Sequence, residues 1–173
     1  RSVSLMRSVR RPLSRVVRAL LMATIAGFCM RAVWNGTTPL VVLAGMSLWI
    51  AALDAAEPLG QEVDHPGRTD TFPMPRGQLF ILHLPILLVV SVLIGLLGAA
   101  IAVAPFGASV PVGPGVFTGV MAGILAACGA SISVVQGAPD PVDTLSMVTP
   151  EIAGTRTVIR TALPPALAIL GLM

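Results

Sequence analysis

The chain has 173 residues, of which 55% are hydrophobic and only 11% are charged, and its mean hydropathy is +0.89. Soluble domains carry about a quarter charged residues, so this composition excludes an ordinary water-soluble domain and predicts a protein whose solvent is lipid. All eleven basic residues are arginine, and they lie beside apolar spans without interleaved aromatic side chains, which argues against a nucleic-acid partner despite the net charge of +3.

The first predicted element is an amphipathic interfacial helix over residues 1–18. Four arginines recur there at spacings of four, four and three, and so share one helical face: Arg7, Arg11, Arg15 and Arg18. This pattern is typical of a helix that lies on an anionic membrane surface and contacts its lipids. The alternative is an arginine-rich flank that only sets the orientation of the following span.

Four apolar stretches follow that we expect to cross a bilayer core of about 30 Å as helices, although the first is short and Arg31 near its end must reach to the interface. They cover residues 19–33, 37–53, 79–104 and 115–136. A fifth begins near Thr161 and is cut short, so we expect the sequence to be a piece of a longer protein. The predicted fold is an all-α, polytopic transmembrane helical bundle that forms a single domain, with four full spans and a truncated fifth.

The distribution of arginine predicts the orientation of the bundle. With a cytoplasmic amino terminus, ten arginines fall in cytoplasmic segments and only Arg31 falls outside. This agrees with the positive-inside rule and predicts a multi-pass protein of the cell (inner) membrane. Residues 58–78 then form the cytoplasmic connection between the second and third spans. Residues 53–85, which include it, hold five of the eight carboxylates and both histidines.

Asp54 and Glu57 lie three residues apart at the cytoplasmic end of the second span and therefore share a helical face. The favoured interpretation is a helix end at the membrane interface, where a charge is inexpensive. The functional alternatives are a proton or cation site, or a contact with an arginine of a neighbouring element. His83, one turn inside the third span, would join them in the coupling site of an ion-driven secondary transporter, although a structural role is favoured for it.

A catalytic or metal site is not indicated. The acidic residues of this region lack the four-residue spacing of CDP-alcohol transferases: Asp54, Glu57, Glu62 and Asp64. The sequence contains no P-loop, nucleophile elbow, CxxC motif or dinucleotide fingerprint. We therefore predict no catalytic residue, metal or cofactor, and a membrane-embedded enzyme that acts on lipid is the weakest hypothesis.

The fourth span carries a pattern of small residues. Gly115, Gly119 and Gly123 recur every four residues, and Ala127 and Ser131 continue the strip. A small-xxx-small strip lets a second helix approach closely, which gains dispersion contacts that lipid would not supply. These three glycines are therefore predicted helix-packing residues.

The order of these elements resembles the membrane subunit of an ABC-2-type exporter. That family places an amphipathic amino-terminal helix before two membrane helices, a cytoplasmic coupling segment and further helices. The stretch LDAAEPLGQEVDHPGRTDTFPMPRGQLFILHLP is similar to the acidic–Arg–Leu/Phe-Pro segment that many bacterial permeases of this kind carry after their second helix.

The resemblance implies a function and two partners. Residues 58–78 would dock into a separate ABC ATPase subunit, and a second permease unit, or a second half, would complete the translocation path. ATP-driven closure of the ATPases would move packed helices as rigid bodies. Six residues are expected to contact the ATPase: Glu57, Glu62, Asp64, His65, Arg68 and Asp70.

Overall fold

The computed structural model describes residues 12–64, 75–104, 111–137 and 150–173. These residues form six helices and contain no strand, which confirms the predicted all-α class for this part of the chain. The helices are α1 (Pro12–Trp34), α2 (Leu40–Ala55), α3 (Glu57–Asp64), α4 (Arg76–Val103), α5 (Val112–Gln136) and α6 (Pro150–Leu170).

Three of the six helices are long and apolar enough to cross a membrane, over Ser14–Trp34, Gly77–Val103 and Val112–Gln136. The chain is therefore a multi-pass membrane protein. The 16 residues of α2 rise only about 24 Å, less than a hydrocarbon core of about 30 Å. Helix α2 meets the criteria of a span only together with α3, from which it is bent by 56°. The predicted four full spans are reached only if this bent pair is counted as one.

A tight turn between α1 and α2 explains why α2 is short. Gly36 adopts a φ of 101°, which favours glycine. Its N–H donates to Val33 O at 3.0 Å, and the Thr37 N–H donates to Ala32 O at 2.9 Å. This pair of bonds is a Schellman motif, which ends α1. The next helix begins only at Leu40, so the predicted start of the second span at residue 37 is three residues early.

The first and the last predicted elements, the interfacial helix and the fifth span, also differ from the structure. Helix α1 begins at Pro12, a residue whose fixed φ suits the first helical position, and continues without a break into the first span. The rest of the predicted interfacial helix lies outside the described residues. Helix α6 begins before the predicted fifth span, and its apolar part, Thr157–Leu170, is shorter than a span.

Small side chains fill the core of the bundle. Helix α1 packs on α2 and α4, and α5 packs on α4, α6 and α2. The buried residues are mostly alanines, and the largest side chains that are fully buried are Leu48 and Pro164. Large apolar side chains lie outside instead: on α4, Ile81 and Leu93 are 63% and 60% exposed. This inversion suits a bundle whose helices pack closely and whose outer surface meets lipid.

Two arginines satisfy carbonyl groups at helix ends that lack helical partners. Arg31 of α1 donates through Nη1 to Ala104 O, just after α4, at 2.8 Å. Arg160 of α6 donates through Nη2 to Gln136 O and, at 3.3 Å, to Gly137 O, just after α5. Positive side chains at helix carboxyl ends are stabilising, because they complement the partial negative charge there. Arg31 thus joins α1 to α4 at one end of the bundle, and Arg160 joins α6 to α5 at the other end.

Candidate functional site

Except for Arg31, the charged side chains that the structure describes gather at one end of the bundle, where α1 begins, α2 ends and α3 lies. We call this the α3 end. Asp54 in the last turn of α2 and Glu57 in the first turn of α3 both reach it. The bend between α2 and α3 lies at Ala56, whose N–H donates to Ala52 O at 2.9 Å and closes α2.

Two arginines of α1 bind these two carboxylates. Arg18 donates through Nε and Nη2 to the two carboxylate oxygens of Asp54. Arg15 places Nη2 at 2.6 Å from both Oε1 and Oε2 of Glu57. Arg15 and Arg18 are three residues apart and share one face of α1. The two acids are also three residues apart but do not share a helical face as predicted, because the bend at Ala56 places Asp54 on α2 and Glu57 on α3. The result is a pair of parallel ion pairs that join α1 to the α2–α3 bend.

The ion pairs differ in burial. The side chain of Asp54 is 13% exposed, whereas those of Arg15 and Glu57 are 32% and 37% exposed. A carboxylate that is mostly buried depends on its partner, because an unpaired charge would be poorly solvated there. Both Asp54 and Glu57 are therefore paired with arginines of α1. A contact with an arginine of a neighbouring element was one of the alternatives predicted for them.

Helix α3 packs on the bundle through one of its faces. Leu59 is buried, and a Cβ on Gly60 would lie 3.7 Å from Val134 Cγ1 of α5, an ordinary packing distance. Gln61 donates through Nε2 to Glu57 Oε1 at 3.2 Å, one turn along the same helix. One face of α3 is thus held against α5 and α4, while Gln61 and Asp64 are exposed.

The residues predicted to contact an ATPase are placed as follows. Glu57 is held by Arg15. Glu62 is half-buried and Asp64 is exposed in the last turns of α3. The other three lie outside the described residues: His65, Arg68 and Asp70.

A cleft of about 180 Å³ opens beside the ion pairs, between α1, the α2–α3 bend and α4. Arg15, Asp54 and His83 form its polar part, and Ile86, Leu87 and Val90 of α4 are among its apolar walls. It brings together two of the three residues that sequence reasoning assigned to an ion-coupling site, Asp54 and His83. The third, Glu57, reaches it only through Arg15.

His83 has a defined hydrogen bond. Its Nδ1 lies 2.8 Å from Leu79 O, one turn earlier in α4. A carbonyl oxygen only accepts, so this contact assigns the proton of the neutral ring to Nδ1 and leaves the Nε2 lone pair as an acceptor. In this neutral form the ring offers Nε2 as an acceptor.

The three predicted helix-packing glycines face α4. A Cβ on Gly115 would lie 2.7 Å from Val103 Cγ2, and one on Gly119 would lie 2.7 Å from Ala99 Cβ. A Cβ on Gly123 would lie 2.6 Å from Val92 Cα. All three glycines are buried. The contact with α4 is therefore so close that the third position leaves no room for a methyl group without movement of the backbone.

Sequence reasoning missed several other close contacts. A Cβ on Gly27 of α1 would lie 2.6 Å from Gly98 O of α4, and one on Gly45 of α2 would lie 2.6 Å from Ile169 Cγ1 of α6. Neither Gly27 nor Gly45 belongs to a long glycine strip, so no sequence pattern marked them. Gly98 follows Gly95 after two residues in the third span, a weaker signal that could have indicated an interface.

A comparison of the chain with known protein families, curated proteins and solved structures finds no match. Within the described residues, no group of three or more His, Cys, Asp or Glu side chains could hold a metal ion. The function must therefore be argued from the bundle, its ion pairs and the bent helix pair.

Proposed function

We propose that the chain is the membrane-spanning subunit of an ATP-driven exporter, with the α3 end in the cytosol. The observation that carries this proposal is the 56° bend between α2 and α3. It turns the chain from a membrane helix into a short polar helix that packs against α4 and α5. A coupling element needs this arrangement, because a partner must push on a rigid element that is packed against the moving helices.

The contacts of α3 support the same role. Leu59 anchors the helix in the bundle, and the Arg15–Glu57 pair ties its first turn to α1. A force applied to α3 would therefore reach α1, α4 and α5 together. Glu62 and Asp64 lie at the opposite end of α3, close to where residues 65–74 continue with both prolines and charged side chains.

The ion-coupled alternative receives less support. It needs Asp54, Glu57 or His83 to bind and release a proton or a cation. Both carboxylates are already neutralised by arginines, so a cation that arrives without an anion finds no net negative charge there. Transport that stops with an uncoupler and survives ATP depletion would favour this alternative over the exporter.

The test is purification of the tagged protein in mild detergent from its own host. We expect a stoichiometric second polypeptide that hydrolyses ATP. The double charge reversal Glu62→Lys with Asp64→Lys should remove that polypeptide while membrane insertion stays intact. Gln136→Lys is the matched control, because this side chain is exposed at the α3 end but belongs to α5.

Two results would count against the proposal. One is an ATPase that stays bound to the Glu62→Lys, Asp64→Lys protein as it does to the wild type. The other is a purified protein that transports its cargo in vesicles without any ATPase.

A further inference from the structure

The cleft beside the ion pairs has a polar part and an apolar part, arranged as the headgroup and the acyl chains of a phospholipid are in the adjoining leaflet. Its polar part, formed by Arg15, Asp54 and His83, is at the α3 end. Its apolar part follows α4 towards the middle of the bundle, where Ile86 and Val90 are 51% and 37% exposed. The apolar wall is thus continuous with the outer surface of α4, which meets the acyl chains of the bilayer.

The polar part offers both donors and acceptors. Within the described residues, Arg15 contacts Glu57 only through Nη2, so the other N–H groups of its guanidinium meet no acceptor there. Arg18 occupies one site on each oxygen of Asp54, and a carboxylate has about four acceptor sites. His83 adds the acceptor Nε2. The cleft can therefore bind a group that accepts at one position and donates at another.

The charges of the cleft select the headgroup. Arg15 and Asp54 carry opposite signs, so together they give the polar part no net charge. An anionic headgroup would match Arg15, but its net negative charge would lie beside the Asp54 carboxylate, to which its hydroxyl groups could offer only neutral donors. A trimethylammonium headgroup would offer a charge but no N–H. A primary ammonium next to a phosphate satisfies all three side chains.

We propose that this cleft binds a zwitterionic aminophospholipid, phosphatidylethanolamine being the simplest example, from the leaflet at the α3 end. The phosphate accepts from Arg15, and the ammonium donates to Asp54 and to His83 Nε2. The volume of about 180 Å³ admits a small headgroup and leaves most of each acyl chain along Ile86, Leu87 and Val90. The inference needs only the membrane location of the bundle and does not rest on the exporter proposal.

The experiment captures the lipid that is next to the cleft. A photoreactive benzophenone side chain is placed at Ile86, or at Leu93 as the matched control. Leu93 lies on the same helix and is 60% exposed, but it does not line the cleft. The full chain is reconstituted in vesicles of equal parts phosphatidylethanolamine, phosphatidylcholine and phosphatidylglycerol with identical acyl chains. After irradiation, mass spectrometry identifies each lipid adduct.

We expect the adducts at Ile86 to be enriched in phosphatidylethanolamine about fivefold over those at Leu93, which corresponds to about 1 kcal/mol. The neutral pair Asp54→Asn with Arg18→Gln should remove this enrichment without leaving an unpaired charge. Equal lipid proportions at the two positions would overturn the proposal, and so would enrichment of either other lipid. An enrichment unchanged by the neutral pair would overturn the role of Asp54 as the ammonium acceptor.

Discussion

Arg18 of α1 and Asp54 of α2 form a two-pronged ion pair in which Nε and Nη2 of the guanidinium each donate to a different carboxylate oxygen. This geometry fixes the relative rotation of the two helices as well as their distance. One turn away, Arg15 and Glu57 extend the same connection to α3. The α2–α3 bend is therefore held to α1 by two ion pairs rather than by apolar packing alone.

The first prediction concerns this coupling. Asp54→Asn alone should lower the free energy of unfolding in detergent by about 0.5–1 kcal/mol, because Arg18 loses its charged partner but remains half-exposed. Arg18→Gln alone should cost more than that, since it leaves the mostly buried carboxylate unpaired. The double variant should cost less than the two single variants added together. Strictly additive losses in this double-mutant cycle would show that the pair does not couple the helices.

The second prediction concerns the glycine strip of α5. Gly119→Leu should destabilise the bundle by roughly 1–3 kcal/mol or more, because its Cβ would meet Ala99 Cβ at 2.7 Å and Gly95 O at 2.8 Å. Gly113→Leu on the same helix has open space around it and should change the stability by less than about 0.5 kcal/mol. Equal effects of the two substitutions on thermal unfolding would refute the assignment of Gly119 to a helix contact.

The third prediction concerns two buried serines. Ser47 donates to Leu43 O at 2.8 Å, whereas the buried Ser91 Oγ has no partner among the described residues. Ser91→Ala should raise the free energy of unfolding by about 1 kcal/mol, since it removes an unsatisfied polar atom. Ser47→Ala should leave stability unchanged or lower it by about 0.5 kcal/mol. A stability loss on Ser91→Ala larger than that of Ser47→Ala would reveal a partner for Ser91 outside these helices.

The fourth prediction concerns the turn that shortens α2. Gly36→Ala has free space but a φ of 101°, so we expect it to cost about 1 kcal/mol through backbone strain alone. Gly77→Ala, in the first turn of α4 with equally free space and no such φ, should be neutral or stabilising by a few tenths of a kcal/mol. Chemical denaturation in detergent measures both, and equal free energies for the two variants would exclude strain at Gly36.

The sequence reveals the membrane helices because lipid enforces a simple rule. Every backbone polar group must be satisfied within the membrane, so a long apolar run has to be helical. The apolar residues of the third and fourth predicted spans therefore lie within α4 and α5. The exception is α2, which begins three residues after the predicted start because of the Schellman turn at Gly36 and ends just before the bend at Ala56, two residues after the predicted end. Both depend on local hydrogen bonds that hydropathy does not record.

The contacts between helices were harder to predict from the sequence than the helices themselves. Acids at positions 54 and 57 and arginines at 15 and 18 have matching spacings, yet several arginines on the same helix face could have been partners. No sequence pattern indicates the contact between Gly45 and Ile169, because it joins a single glycine to a β-branched side chain that is distant in sequence. Pair assignments of this kind depend on the three-dimensional packing of the bundle.

The most direct test of membrane insertion is thiol labelling in intact cells. The free cysteines Cys29 and Cys128 are first replaced by alanine. A single cysteine is then placed either at Asn35, in the turn between α1 and α2, or at Asp64, at the end of α3, where both native side chains are exposed. With the α3 end in the cytosol, a membrane-impermeant maleimide should modify Asn35→Cys in intact cells and Asp64→Cys only after permeabilisation. Rapid modification of Asp64→Cys in intact cells would contradict the cytosolic location of the α3 end.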